Sequence, residues 1–147
     1  MNDYSGSISL LIYGEGLNFA SIERDIKMEA NRKTRKGTDL FQKKIIAQRD
    51  SISFEIKYVV EDSWSEKAND FLDKLLEKKT IIQDIMNDKT VDEVKIRLFV
   101  QSMMAQILLP FHSGLLSKIS NLDIDFELSI LSWGGAYDEK GDDISAE

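Results

Sequence analysis

The sequence predicts an α+β domain of two layers, in which helices pack on one face of a mostly antiparallel sheet. Three observations lead to this fold class. Several segments alternate apolar and polar residues with period two, as half-buried strands do. The strongest helical segment carries one apolar stripe, which indicates one buried face. Because each element has a single apolar side, two layers that bury those sides against each other are the most economical arrangement.

The strands are predicted from alternation along the chain. Four segments show it clearly: residues 7–13, 52–60, 93–100 and 122–130. A further strand is expected at 104–109, as the antiparallel neighbour of the strand at 93–100 after a short turn. The last strand is expected to turn Phe126, Leu128 and Ile130 towards the core and to end at residues 133–135.

The central helix has the clearest start signal. Ser63 is followed three residues later by Glu66, just before an apolar-periodic run, which is the pattern of a capping box. The helical spacing of apolar residues continues to about Asn87, and the opposite face is charged. We therefore expect one long helix that lies on the sheet.

Two shorter helices are predicted on either side of it. Asn18 can cap a helix that carries Ile22 and Ile26 on one face. Pro110 suits the first turn of another helix, because its missing N–H has no partner there in any case. The predicted buried side of that helix consists of Leu115, Leu116 and Ile119.

Length and composition place limits on the class of protein. A chain of 147 residues with 42% hydrophobic and 31% charged residues corresponds to about one folded domain, expected here at 1–135 with a mobile acidic tail at 136–147. The absence of cysteine excludes disulfides and thiolate sites. The first apolar run is too short for a signal peptide and no run could span a membrane. The cytoplasm is therefore the expected location.

The charge distribution is uneven. Residues 27–49 carry eight cationic and two acidic side chains, a net +6, whereas the whole chain carries −7. The remaining residues therefore sum to −13. A division of this kind bears on partners, because it affects steering and non-specific binding more than the fold.

The basic segment admits three interpretations. It is a solvated loop or a lysine-guarded strand edge, a site for an acidic protein partner, or a contact for nucleic acid through residues 32–49. Nucleic acid is the least favoured, because only Phe41 is available for stacking and the rest of the chain is acidic. Residues 40–47 fit either a basic helix or an edge strand. The candidate partner-binding residues in the segment are Arg35, Lys36, Lys43 and Lys44.

A second candidate surface consists of the carboxylates Asp123, Asp125 and Glu127. Their alternate positions predict that all three lie on one face of the last strand. A hard cation would accept such ligands. The preferred interpretation is a cross-strand charge ladder, because Lys57, Lys95 and Arg97 occupy the polar faces of other strands.

Signals for catalysis are weak. His112 is the only histidine, which excludes a histidine-rich metal site, and no nucleophile-elbow pattern surrounds a serine. The preferred interpretation places His112 near the start of a helix. Residues 14–16 and 134–135 are glycine turns without a phosphate-binding fingerprint. We therefore assign no catalytic residue, no cofactor and no metal from the sequence.

Three places in the chain carry a family resemblance. Tyr13-Gly14 precedes a short helix and the basic-glycine element at 34–37, a long amphipathic helix follows a strand, and residues 108–133 form a closing unit of strand, short helix and strand. In these respects the chain resembles DUF4279, a bacterial domain of unknown function, over roughly residues 7–135. The resemblance implies no catalytic residues.

The expected function is that of a non-enzymatic binding protein. Small acidic bacterial proteins of this type often look like immunity proteins, which neutralise a partner toxin, and an acidic majority suits a basic protein partner. Alternatives are a small ligand- or metal-binding domain or an enzyme that uses the polar sheet face, and nucleic-acid binding through residues 32–49.

Overall fold

The computed structural model describes residues 4–42 and 44–135. A five-stranded sheet with helices on one face forms the body of these residues, and a two-stranded hairpin stands apart from it, so the α+β prediction is confirmed. In chain order the elements are β1 (Ser5–Gly14), α1 (Phe19–Ile26), β2 (Arg32–Thr34), β3 (Asp39–Leu40), β4 (Ile45–Ile46), β5 (Asp50–Tyr58), α2 (Trp64–Glu77), α3 (Lys79–Met86), β6 (Val91–Met104), α4 (Ser113–Leu122) and β7 (Asp125–Gly135).

The strand order of the main sheet is β2-β5-β1-β6-β7. β1 lies at the centre and pairs antiparallel with β5 on one side and β6 on the other. β7 pairs with β6 in parallel, because the connection between them crosses over through α4. The sheet is thus mostly antiparallel with one parallel edge, and β2 and β7 form its two edges.

The core lies between the sheet and the helices. Ile8, Leu10 and Ile12 of β1 point to the helix side and are fully or almost fully buried. The helix layer meets them mainly through the buried stripe of α2, which includes Phe71 and Leu72. This stripe is the one that the sequence predicts, and it begins directly after the Ser63 cap, whose hydroxyl accepts a hydrogen bond from the N–H of Glu66.

The long helix is interrupted, contrary to the sequence prediction. α2 ends at Glu77 and α3 begins at Lys79, with a non-helical Lys78 between them. Lys78 and Lys79 occupy the positions where the apolar stripe would continue. The buried face of α2 therefore ends before them. The Lys78 ammonium instead donates to the carbonyl oxygen of Ile26 at the end of α1.

The prediction of a strand at 104–109 is wrong. β6 continues to Met104, and residues 105–112 form no regular element. A hairpin after Val100 would need a tight turn, but residues 101–103 are Gln, Ser and Met, which do not favour one. The position beside β6 is therefore open to β7, and α4 begins at Ser113 rather than at Pro110.

Two predictions of burial near the C-terminal end are also wrong. On α4, Leu115 and Leu122 are buried, but Leu116 lies one position round the helix and is exposed. On β7, Phe126, Leu128 and Ile130 lie on the helix side as expected, yet all three keep more than a third of their surface in contact with solvent. β7 is the outer strand, and the helix layer covers it incompletely.

The ambiguous segment 40–47 is neither a helix nor an edge of the main sheet. It contains most of the small hairpin of β3 and β4, in which Leu40 pairs with Ile45. The true edge on this side is β2, whose three residues pair with β5. Lys43 and the expected tail at 136–147 lie outside the described residues. Among the residues that are described, no helix is long and apolar enough to cross a membrane.

We expect Leu10→Ala to destabilise the fold by about 3 kcal/mol, because Leu10 is fully buried between Phe54 and Ile96 on the neighbouring strands and truncation leaves a cavity. Urea denaturation monitored by circular dichroism measures the change. Leu108→Ala is the control, since Leu108 is 81% exposed, and its cost should stay within about 0.5 kcal/mol. Equal losses for the two variants would contradict this account of the core.

Candidate binding groove on the open face of the sheet

The face of the sheet that is turned away from the helices has small polar side chains at its centre. Ser7 and Ser9 of β1 and Ser51 and Ser53 of β5 point to this face. The period of two in each strand produces this result, because the intervening residues are the apolar residues of the core. Short side chains in the middle of a face leave a depression where longer ones would fill it.

Longer side chains surround the serines. The strand register aligns Ser9 with Glu55 on one side and with Arg97 on the other, and aligns Ser7 with Phe99. Arg97 is in turn aligned with Glu127 on β7. The floor of the depression thus consists mainly of small hydroxyl groups, with Leu11 opposite Ser53 among them, and its far margin consists of charged and aromatic groups.

The hairpin and the β2 edge form the near wall. Leu40, Phe41 and Arg49 face the depression from one side, next to Arg32, whose guanidinium carbon lies 5.1 Å from the centre of the Phe41 ring. Together the floor and wall enclose an open groove of about 740 Å³. Its lining is mixed, with hydroxyl, charged, aliphatic and aromatic groups in reach of one ligand.

A chain of ion pairs connects Arg49 on the near wall of the groove with Arg97 on its far margin. Arg49 contacts Glu93 at 2.7 Å, Glu93 contacts Lys95 at 3.0 Å, and Lys95 contacts Glu127 at 2.8 Å. Glu127 also accepts from Arg97 at 2.6 Å. This chain of five residues, called here the rim network, ties the segment after the hairpin to β6 and β7.

The rim network keeps its carboxylates ionised. Hydrogen bonds from Arg49 and then Lys95 lower the pKa of Glu93, and hydrogen bonds from Lys95 and then Arg97 lower the pKa of Glu127. Arg49 also lies over the ring of Tyr13, 4.1 Å from its centre. Groups held in this way are fixed charges, whereas a general acid near neutral pH needs a raised carboxyl pKa.

The buried carboxylate of Asp50 holds the wall in place. It accepts hydrogen bonds from the backbone N–H of Leu17 at 3.0 Å, from Arg35 Nη1 at 2.8 Å and from the backbone N–H of Lys36 at 2.8 Å. Arg35 donates as well to the Leu17 carbonyl oxygen and stacks on Phe19, 3.8 Å from the ring centre. Three separate stretches of chain therefore meet at one side chain.

The structure divides the sequence-predicted site residues between separate places. Arg35 belongs to the Asp50 cluster, Lys36 pairs with Glu15 at 2.9 Å, and Lys44 lies exposed in the hairpin turn with a left-handed backbone. Lys43 is outside the described residues. Glu127 lies on β7, at the opposite edge of the sheet from β2, so the basic and acidic candidates do not form one site.

Half of the eight cations in the basic segment are paired within the molecule. Four of its cations, Lys33, Arg35, Lys36 and Arg49, make ion pairs with Glu23, Asp50, Glu15 and Glu93. An ion-paired cation has less charge to offer a phosphate backbone. This arrangement weakens the nucleic-acid interpretation of residues 32–49.

Contrary to the prediction, the carboxylates of Asp123, Asp125 and Glu127 do not all lie on one face of the last strand. Asp123 caps α4 in a left-handed conformation, two residues before β7 begins at Asp125. The predicted charge ladder is confirmed at Glu127, which binds Lys95 and Arg97. Lys57 instead approaches Glu55 of its own strand. Within residues 4–42 and 44–135, no group of three histidine, aspartate or glutamate side chains is placed to hold a metal. His112 directly precedes α4, as predicted.

A family comparison matches most of the chain. The model of DUF4279, described as a domain of unknown function, covers residues 3–133. The chain belongs to this family. The resemblance that the sequence shows is therefore confirmed, and the match spans every strand and helix named above apart from the last two residues of β7. No curated protein and no solved structure matches the chain.

For this DUF4279 member, the groove residues without a prediction from the sequence include the four central serines and Phe99. A signal for the serines is present in the chain as two Ser-x-Ser pairs, at 7–9 and 51–53, each in a segment that alternates like a strand. Nothing of that kind in the sequence signals that these two segments, β1 and β5, pair with each other, because strand pairing depends on non-local contacts.

Replacing Asp50 with asparagine should cost about 2 kcal/mol of stability, because the amide NH₂ group would face N–H donors that now share two carboxylate oxygens. Asp39→Asn, at an exposed position on the hairpin, is the matched control and should change stability by no more than about 0.5 kcal/mol. Urea denaturation at neutral pH measures both.

The pH dependence of the same pair follows from the pKa. The N–H of Lys36, together with Arg35 and the N–H of Leu17, lowers the pKa of Asp50 in the folded state. Its contribution to stability is therefore complete above the unfolded pKa of about 4 and is lost as the pH falls through the folded pKa. The stability difference between wild type and Asp50→Asn should shrink in that acidic range, and a constant difference would contradict the assignment.

Proposed function

We propose that this chain is a non-enzymatic, cytoplasmic binding protein that receives a segment of a partner protein in the groove, in the manner of an immunity protein that neutralises a toxin. The observation that carries the proposal is the groove itself. It is open along one side, it has a floor of small hydroxyl groups, and its charged rim is already paired. A preorganised mixed surface of this kind suits recognition of a protein segment.

The state of the charged groups favours binding over catalysis. The carboxyl groups of Asp50, Glu93 and Glu127 all have lowered pKa values and accept hydrogen bonds from cations. Proton transfer at neutral pH is better served by groups that titrate near that pH. Fixed ion pairs instead provide a charge pattern that a complementary surface can match.

The net charge supports a basic partner. The chain carries −7, and several acidic residues on the outer side of the helix layer are exposed, among them Glu66, Asp70, Glu77, Asp84 and Asp88. At long range the field follows the net charge, so it is that of an acidic protein even though one segment is basic. Such a field accelerates association with a basic toxin.

A small polar ligand is the second candidate for the groove. A volume of about 740 Å³ lies in the usual range for ligand sites, and Arg32 makes no ion pair within the described part of the chain. Titration calorimetry with small carboxylates and phosphates distinguishes this candidate. Binding that Arg32→Gln abolishes would favour the ligand over the protein partner.

The neutralising role predicts a toxic gene product encoded beside this one. Each neighbouring reading frame is expressed in a laboratory bacterial host, alone and together with this protein, and growth is measured. We expect one product to arrest growth and the wild-type protein to restore it. The role is contradicted if no neighbouring product is toxic and the protein is isolated from its native cells without a bound protein.

Groove variants then locate the binding surface. Ser53→Trp fills the floor of the groove and should abolish the rescue, whereas Thr80→Trp, at an exposed position on α3, should rescue as the wild type does. Urea denaturation establishes that both variants fold, and Ser7→Trp replaces Ser53→Trp if it does not. Full rescue by a folded groove variant would place the toxin elsewhere on the surface.

A further inference from the structure

The two edges of the main sheet are protected very differently. β2 has only three residues, and two of them, Arg32 and Lys33, are exposed cations, which discourage another strand from pairing there. β7 has eleven residues, and between Asp125 and Gly135 it contains no proline, lysine or arginine. Its outer backbone edge has no strand partner within the described chain.

The β7 edge is also regular enough to pair. Its ladder with β6 is continuous from Asp125 to Ser132, and the register shifts only beyond that point. Bulges and inward-pointing charges are common devices against unwanted strand pairing. Of its two acidic residues, Glu127 is bound by Lys95 and Arg97, so its charge is compensated within the sheet.

An uncovered apolar strip accompanies this edge. Phe126, Leu128 and Ile130 lie on the helix side and expose 37%, 44% and 56% of their surface, so the cover decreases along the strand. Phe111 packs against Phe126 with ring centres 6.2 Å apart and covers the beginning of the strip. Leu131 on the other face and Leu116 on α4 are also exposed, 45% and 50%. The exposed strip of Phe126, Leu128 and Ile130 is apolar surface of the kind that marks interaction sites.

We propose that two copies of this chain pair through β7, antiparallel about a two-fold axis at Leu128, so that two five-stranded sheets join into one. A two-fold axis perpendicular to the sheet keeps the helix sides of both copies on the same side, and the interface is then self-complementary.

In the register about Leu128, apolar residues of one copy face apolar residues of the other. Leu128 faces the Leu128 of the second copy, and Phe126 faces Ile130, so the apolar strips of both copies form one continuous strip. Cross-strand pairs of aromatic and β-branched residues are favourable contacts. Burying the strip in this way removes from water the side chains that the helix layer leaves uncovered.

The charges are compatible with the same register. Glu127 comes to lie opposite Ser129, and Asp125 opposite Leu131, so no acidic residue faces another across the new ladder. Like charges directly opposite each other would be destabilising. The net charge of −7 on each copy produces only a long-range repulsion, which salt screens beyond about 8 Å at physiological ionic strength. A second copy is therefore the occupant that the edge fits by its own sequence.

The oligomeric state tests the proposal. In sedimentation velocity at physiological salt, we expect a species of twice the 16.8 kDa chain mass that dissociates on dilution. Leu128→Glu and Leu128→Lys each place two like charges at the axis, so each variant alone should be monomeric. An equimolar mixture of the two should recover the dimer, because opposite charges then meet. Val59→Glu, at a position 53% exposed near the end of β5, is the control and should remain dimeric.

Cross-linking tests the register, since the chain has no cysteine of its own. Residues paired across an antiparallel ladder have Cα atoms about 4.5–5.5 Å apart, within the range of a disulfide. Oxidised Leu128→Cys should therefore form a covalent dimer. Phe126→Cys alone should not, because its two copies would lie roughly 14 Å apart, but its mixture with Ile130→Cys should.

Each outcome supports or overturns the pairing. A wild-type protein that stays monomeric at all concentrations overturns it, as does a dimer that persists in both Leu128→Glu and Leu128→Lys. A dimeric Leu128→Cys sample that does not cross-link overturns the Leu128 axis. Circular dichroism shows whether the charged variants fold, and the cysteine variants, which keep the edge uncharged, give an independent result if those variants do not.

Discussion

The hydrogen bonds of the Asp50 carboxylate are the interaction on which the arrangement of the groove depends. This one buried side chain joins the turn after β1, the segment after β2 and the start of β5. An isolated charge is costly to bury, so a carboxylate at such a position needs several donors, and the cationic segment supplies them. The hairpin that forms the groove wall follows directly after Lys36, and hydrogen bonds of residues 37 and 38 with Ala47 close its base.

The same interaction changes how the charge of the basic segment is interpreted. In the sequence its net charge of +6 is the feature that most suggests a charged partner. In the folded chain three of these cations form ion pairs elsewhere in the domain: Arg35 with Asp50, Lys36 with Glu15 and Arg49 with Glu93. Part of the basic charge therefore connects the segment to the rest of the domain. A surface ion pair contributes little stability by itself, but a set of such pairs around one buried acid can position a loop.

The sheet presents two surfaces with different chemistry. The open face is polar, concave and internally paired, whereas the β7 edge is apolar and has no strand beyond it in the described chain. The proposed roles are compatible, because pairing through β7 leaves the groove on the other side of the sheet accessible. A dimer of this kind would present two grooves on one extended sheet face, and two linked sites increase avidity without any new contact.

The sequence by itself determined the α+β class, the alternating strands β1 and β5, the Ser63 cap of α2 and the family, because these depend on short-range periodicity, capping chemistry and local motifs. Part of the candidate site could also be predicted from the sequence, since the position of Glu127 on the polar face, opposite cationic strand residues, predicts its ion pairs with Lys95 and Arg97. Only the tertiary structure decided the break at Lys78, the parallel position of β7, the exposure of its apolar face and the meeting of Arg35 with Asp50. Each of these depends on which distant segments become neighbours, and period, charge and propensity within one segment carry no information about that choice.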